Sequence, residues 1–250
     1  MIIQIKINKI LSLFKQIRNC TFSLLLVALH CSGVKAQSSA TPGNKDSEQF
    51  FFQELIGQKY MDASLFHVGQ NYRNDWLKGS VLLSSGNRAD QLMLRFNSHE
   101  DQLIWLSPKF GQIRLDKQII SEFQLFSSDS IIHFKRLKLN AAKDSFGTFY
   151  EVAYEGKIQI YIHRKVRFMA DYYKYYQRYF LYKPDPDYYL LINQKLVVLD
   201  RPRVKTIYAA FPALKDKIRQ RIKDNHLKTK TENDFIRVLI SVEDLLTKSI

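Results

Sequence analysis

The chain has 250 residues, of which 46% are hydrophobic and 25% are charged, and its formal net charge is +14. Its two cysteines, Cys20 and Cys31, both lie within the first 36 residues. Once that segment is removed, the composition excludes a disulfide-stapled scaffold, a thiolate nucleophile and a cysteine-ligated metal.

Residues 1–36 have the pattern of a secretory signal peptide. A basic region without acidic residues is followed by an apolar core at 21–29 (TFSLLLVAL). Val34 and Ala36 are small residues where a signal peptidase reads them, so we predict cleavage between Ala36 and Gln37. Cleavage removes five basic residues and lowers the formal charge from +14 to +9. The mature protein is therefore predicted to be exported, to the periplasm or the medium.

Two alternatives concern the same segment. An uncleaved membrane anchor needs about 20 apolar residues, and the core at 21–29 is much shorter. A lipoprotein would be modified at Cys31, but His30 occupies a position where that processing site favours Gly, Ala or Ser. The mature chain has no apolar run of transmembrane length, so no membrane-spanning segment is predicted there.

Residues 37–49 are polar and rich in turn-forming residues, which predicts a flexible leader. The apolar spacing that follows Phe50 predicts a short helix, with Gly57 as its C-cap.

Residues 50–200 are predicted to form a β-rich domain, because short runs of alternating apolar residues are separated by turn residues. Leu92, Leu94 and Phe96 share one face of a predicted strand. Residues 149–161 predict a hairpin with a two-residue turn at Glu155 and Gly156, in which Gly156 is able to take a positive φ. The expected fold class is α+β, mainly β, with an antiparallel meander, sandwich or open barrel.

Residues 201–250 change to helical periodicity. Pro212 is predicted to open a helix with Leu214, Ile218 and Ile222 on one stripe. Thr231 is predicted to cap a second helix that runs to Leu246. We expect this helical hairpin to pack on the β-rich domain.

Familiar catalytic and cofactor motifs are absent from the sequence, so no catalytic residue, metal site or cofactor is predicted. The cluster His99, Glu100 and Asp101 is the first place to look if the protein is an enzyme, although such a cluster is commonly a solvated turn. Asp185 and Asp187 alone offer too few oxygens for a calcium site, so a plain loop is predicted there.

The segment 164–183 interleaves basic and aromatic residues. Such a surface can stack on sugar rings while pairing with anions. The opposing interpretation is a strand whose aromatic residues are buried and whose edge is protected by cations. The predicted binding residues are Arg164, Arg167, Tyr172, Tyr175, Arg178 and Tyr179.

Several strand and turn patterns occur in a characteristic order: 77–81 (LKGSV), 94–97 (LRFN), 149–152 (FYEV) and 156–157 (GK), followed by the tyrosine-rich stretch and C-terminal helices. In this order the chain resembles a group of uncharacterised exported proteins of Gram-negative bacteria. The resemblance implies an envelope location and carries over no catalytic residue.

Three functions are therefore considered. The first is a non-enzymatic binding or interaction module of the envelope, whose partner is an envelope protein or an anionic glycan. The second is an enzyme of unrecognised family, such as a hydrolase. The third is a structural component of an envelope assembly that docks through its C-terminal helices. Export argues against nucleic acid as the main partner.

Overall fold

The computed structural model describes residues 55–61, 66–139 and 146–248. The predicted signal peptide and its cleavage site, the leader at 37–49 and most of the predicted first helix lie outside the described residues.

Most of the described residues belong to one large antiparallel sheet. Its eleven strands follow the order β1-β6-β5-β4-β3-β7-β8-β9-β10-β13-β14, and the sheet is open. The prediction of a mainly β, antiparallel α+β fold is confirmed. The strands of this sheet are β1 (Gly57–Lys59), β3 (Leu77–Leu83), β4 (Arg88–Asn97), β5 (Gln102–Ser107), β6 (Gly111–Leu115), β7 (Ile120–Phe126), β8 (Ile131–Leu137), β9 (Thr148–Glu155), β10 (Gln159–His163), β13 (Asp187–Ile192) and β14 (Lys195–Leu199).

One core lies inside the curve of strands β3 to β9. The alternating residues Leu92, Leu94 and Phe96 of β4 all point into it, as their spacing predicted. The ring centroids of Phe96 on β4 and Phe149 on β9 are 6.1 Å apart. Because β4 and β9 are separated by three strands in the sheet order, this contact shows that the sheet curls around its own apolar face.

A second core joins the other end of the sheet to the C-terminal helices. Alternate residues of β10 and β13 provide the sheet side, and Ile218, Phe235 and Leu239 provide part of the helix side. The helical segment therefore packs on β10, β13 and β14. The helices are α1 (Val204–Ala210), α2 (Lys215–Asp224), α3 (Glu232–Ser241) and α4 (Glu243–Thr247).

The helical segment is more divided than the two predicted helices. Pro212 opens a short 3-10 turn before α2, and α1 precedes it as an unpredicted helix. The second predicted helix is interrupted at Val242, whose backbone angles (φ −110°, ψ 9°) end α3 while its side chain stays buried. The predicted cap at Thr231 is confirmed, because Thr231 and Asp234 form a capping box.

Two predicted turns differ from the structure. Gly57 is the first residue of β1 rather than a helix C-cap, and a Cβ there would lie 2.4 Å from the Arg114 carbonyl oxygen. The β9-β10 turn has three residues between the paired Glu155 and Gln159. Ile158 lies in this turn, with its side chain buried in the second core. Gly156 has no positive φ.

Candidate binding surface

A second, smaller sheet carries most of the predicted binding residues. It contains β11 (Val166–Lys174), β12 (Gln177–Pro184) and β2 (His67–Val68), in the order β11-β12-β2. In the chain, β11 and β12 are inserted between β10 and β13, which pair directly with each other in the large sheet. We call residues 166–184 together with Phe66, His67 and Val68 the arm.

The arm ends in a tight turn made of two tyrosines. Tyr175 and Tyr176 have φ values of 51° and 63°, between the paired Lys174 and Gln177. Two positive φ values match the mirror-image turn whose twist suits a two-residue hairpin, although that turn usually contains Asn or Gly. Residues with bulky side chains rarely adopt positive φ values. The turn therefore places two aromatic rings at the tip at some conformational cost.

The aromatic residues of the arm are largely exposed. Tyr173, Tyr175 and Tyr176 are 72%, 82% and 103% exposed, and Phe168 is 53% exposed. Tyr182 is buried, with 8% exposure, and Phe66, Tyr179 and Phe180 are half-buried. The interpretation of 164–183 as a run of buried strand residues therefore fits the base of the arm and does not fit its outer part.

The two faces of the arm differ in charge. Residues paired across β11 and β12 share a face, so the register assigns each side chain. We call one side the basic face and the other the neutral face. The basic face contains Arg167, Ala170, Tyr172, Lys174, Gln177, Tyr179, Leu181 and Lys183. The neutral face contains Phe168, Asp171, Tyr173, Arg178, Phe180 and Tyr182.

Contacts within each face agree with this assignment. On the basic face, the rings of Tyr172 and Tyr179 stack with centroids 5.3 Å apart and an interplanar angle of 11°. On the neutral face, Arg178 Nε donates to Asp171 Oδ2 at 2.5 Å, and its guanidinium lies 5.0 Å from the Phe180 ring centroid. Arg178 is thus paired with a carboxylate within the arm.

Arg164, the first predicted binding residue, lies outside the arm and in a half-buried ion-pair network. Its guanidinium donates to both oxygens of Glu151 at 2.6 and 3.0 Å. It also donates to both oxygens of Glu232 at 2.6 and 2.9 Å. Since Glu151 is on β9 and Glu232 begins α3, Arg164 connects the sheet to a helix.

The hydrogen bonds of this network decide its protonation. Burial alone lowers the pKa of Arg164, but the bonds to both glutamates outweigh it and leave the pKa raised. Burial alone raises the pKa of Glu232, but the Arg164 guanidinium outweighs this effect and holds the pKa of Glu232 below its usual range. Tyr188 donates to Glu232 at 2.6 Å, and burial raises its pKa. The network is therefore an arginine between two carboxylates, with Tyr188 as a further donor.

The network gives the fold a specific sensitivity to alkali. Burial, with the Glu151 carboxylate nearby, raises the pKa of Tyr72 to about 12, whereas an unfolded tyrosine titrates near pH 10. The neutral phenol is favoured by folding, so the contribution of Tyr72 to stability is complete below pH 10 and falls by about 3 kcal/mol between pH 10 and 12. Urea unfolding across this range should show the fall, and Tyr72→Phe should make it shallower. An identical slope in both proteins would contradict this assignment.

The arm is attached to the large sheet by Tyr182 and by residues 66–72. The Tyr182 ring lies 4.4 Å from the His99 ring, between centroids, in the β4-β5 turn. Phe66 O accepts a hydrogen bond from Phe180 N at 2.6 Å, and Tyr72 N donates to Phe96 O on β4 at 2.9 Å. This segment therefore pairs with β12 at its start and with β4 at its end.

Gly69 lies midway along this segment. It has a φ of +83°, and a Cβ there would lie 2.5 Å from the Tyr182 carbonyl oxygen. Only glycine fits both the backbone angle and the close approach.

The cluster His99, Glu100 and Asp101 does not form a catalytic arrangement. The backbone N–H groups of His99 and Glu100 both donate to Asn97 Oδ1 at 3.0 Å. The Asp101 carboxylate forms an ion pair with Lys117 at 2.6 Å and accepts from the Phe149 N–H at 3.3 Å. The cluster is a turn whose polar atoms hold β4, β5 and β9 together.

The other polar candidates are also structural. Asp187 forms an ion pair with Lys165 at 2.7 Å, and Asp185 is exposed. Burial lowers the pKa of His163 to about 4, so this imidazole is neutral near pH 7. Among the described residues, no group of three or more His, Cys, Asp or Glu could hold a metal ion. No helix in the described parts of the chain is long and apolar enough to cross a membrane.

Comparison with known proteins gives no relative. No protein-family model matches the chain, no curated protein aligns with it significantly, and no solved structure matches its fold significantly.

The structure brings together Arg167, Tyr172 and Tyr179 on the basic face and puts Tyr175 at the tip. It separates Arg178 from them, on the neutral face. Sequence reasoning missed the exposed Tyr173 and Tyr176, and it missed the third strand at His67 and Val68. The adjacent tyrosines at 175–176 were the available signal for the turn, but tyrosine is an uncommon turn residue.

Proposed function

We propose that this protein is an exported, non-enzymatic binding module of the bacterial envelope, and that the arm is its contact surface. The observation that carries the proposal is the exposure of Tyr172, Tyr175 and Tyr176 on a hairpin outside the large sheet. Exposed apolar patches on a folded protein commonly mark an interaction site. Aromatic rings with basic neighbours favour a partner that is anionic and has flat apolar surfaces.

The alternatives find less support. An enzyme based on His99, Glu100 and Asp101 is disfavoured because the Asp101 carboxylate is engaged by Lys117 and the Phe149 N–H, and His99 and Glu100 are exposed in a turn. Docking through the C-terminal helices is disfavoured because their main apolar residues, including Ile218 and Phe235, are buried against the protein's own sheet.

A retention experiment tests the proposal. The mature chain would be sedimented with the envelope fraction of a Gram-negative bacterium, as the wild type and as the variant Tyr172→Ser, Tyr175→Ser, Tyr176→Ser. Because the three rings are more than 40% exposed, the variant should keep its stability. We expect retention to fall about tenfold, since aromatic contacts account for much of such binding energy.

The matched control is Phe110→Ser. Phe110 is 66% exposed in the turn between β5 and β6, so its substitution removes exposed aromatic area outside the arm. Equal retention of the wild type and the arm variant would refute the arm as the contact surface. The same conclusion would follow if Phe110→Ser lost as much retention as the arm variant.

A further inference from the structure

Basic side chains lie at both ends of the basic face. Arg167 and Lys183 lie directly opposite each other near the base, and Lys174 lies next to the tip. At about 3.3 Å per residue, the two sites are about 20 Å apart. The basic face therefore presents positive charge at both of its ends.

The centre of the basic face is apolar and aromatic. Tyr172 and Tyr179 form the stacked pair, and Leu181 and Ala170 lie between this pair and the basal cations. Val68 of β2 pairs with Leu181 and is 42% exposed. Sugar rings offer apolar C–H surfaces that suit such a strip.

The two basal cations give an independent indication of an anion. Like charges directly opposite each other across antiparallel strands destabilise the pairing. The exposed Arg167 and Lys183 are in that arrangement. An anion bound between them would relieve the repulsion.

The neutral face lacks these properties. Arg178 is paired with Asp171, and Tyr182 at the base packs on His99 of the large sheet. The base of the neutral face is thus covered, whereas Arg167 and Lys183 at the base of the basic face are exposed.

We propose that the basic face of the arm binds an extended acidic glycan lying lengthwise, from Arg167 and Lys183 to Lys174. This inference rests on the proposed function and names the ligand class of the same surface. Carboxylate groups of the glycan pair with the cations at the two ends, and sugar rings stack on Tyr172 and Tyr179. A membrane touched by the tip would engage Lys174 alone of these three cations, because the basal pair lies well beyond a Debye length of about 8 Å.

The test measures binding of oligogalacturonates to the mature chain by calorimetry in physiological salt. Octagalacturonate can span both cation sites and digalacturonate cannot, so we expect the octamer to bind at least tenfold more tightly. The variant Arg167→Gln, Lys183→Gln should weaken octamer binding by about tenfold, because it removes charge-assisted contacts. Uncharged dextran should not bind.

Two control variants separate this face from general charge. Lys215→Gln, Lys217→Gln makes the same change in net charge at exposed positions of α2, and Phe110→Ser removes an exposed ring that lies outside the arm. Both should keep octamer affinity within about twofold of wild type. Equal loss in the α2 variant would overturn the inference, and so would equal affinities for the dimer and the octamer.

The remaining outcomes distinguish the inference from the proposed function. Arm-dependent retention on envelopes without octamer binding would overturn the glycan and leave the binding module standing. Tighter binding to phosphatidylglycerol vesicles or to single-stranded DNA than to the octamer would replace the glycan by a membrane or a nucleic acid. Octamer binding without arm-dependent retention on envelopes would instead refute the proposed function.

Discussion

Replacing Arg164 by methionine is expected to lower the free energy of unfolding by about 3 kcal/mol at pH 7. The guanidinium makes four hydrogen bonds to Glu151 and Glu232. The side chains of Arg164 and Glu151 are each 15% exposed and that of Glu232 is 30% exposed, so removing the cation leaves two carboxylates in a partly desolvated site. Breaking a buried pair from one side is more destabilising than removing both partners, because one charge remains uncompensated.

Urea unfolding measures the effect, and two further variants test its cause. Glu151→Gln, Glu232→Gln in the Arg164→Met background should recover much of the loss, because the uncompensated charges are then gone. Arg178→Met breaks an ion pair that is 53% exposed on the arginine side, and it should change stability by less than about 1 kcal/mol. A loss that the two glutamine substitutions do not reduce would show that Arg164 acts through packing.

The pH dependence should change sign. In the wild type, the lowered pKa of Glu232 contributes stability above the pKa of the unfolded glutamate, and that contribution is lost as pH falls through the folded pKa. In Arg164→Met, burial without a cation raises the carboxyl pKa values. The variant should therefore become more stable, relative to the wild type, as pH falls from 7 toward 5.

Arg164 shows why the sequence predicted the fold better than the site. Period-two alternation is a local property, so Leu92, Leu94 and Phe96 could be assigned to the core from their spacing alone. The partners of Arg164 are 13 and 68 residues away in the chain. Beside Lys165 and Arg167 it looked like one more surface cation, and only the packing of α3 against β9 distinguishes it.

The arm shows a second limit of sequence reasoning. Tyrosine and phenylalanine are common in buried and in exposed strands alike, so alternation could not indicate whether the segment joins the large sheet. The decisive feature is that β10 pairs directly with β13, which excludes β11 and β12 from the ladder. A bulge at Met169 further shifts the β11 register, so the faces of the arm could not be read from simple alternation.

Replacing Gly69 by alanine is expected to loosen the arm from the large sheet. At φ +83° the new Cβ is strained by about 1 kcal/mol or more, and it would also lie 2.5 Å from the Tyr182 carbonyl oxygen. Because that atom is backbone, the contact can be relieved only by moving β12 away from residues 66–72. We expect a loss of about 3 kcal/mol in the free energy of unfolding, from strain and lost strand pairing together.

Gly86 offers a closely matched control. Its φ is +92°, and a Cβ there meets nothing within 4 Å, so Gly86→Ala carries the backbone strain without the collision. The difference between the two variants therefore measures the close approach to β12. Limited trypsin digestion reports the arm itself, since Arg167, Lys174 and Arg178 are cleavage sites within it. We expect Gly69→Ala to be cut there about tenfold faster than Gly86→Ala, because an arm held only by its own hairpin is marginally stable. Equal cleavage rates would mean that residues 66–72 do not hold the arm in place, and that its exposed tyrosines are positioned by β11 and β12 alone.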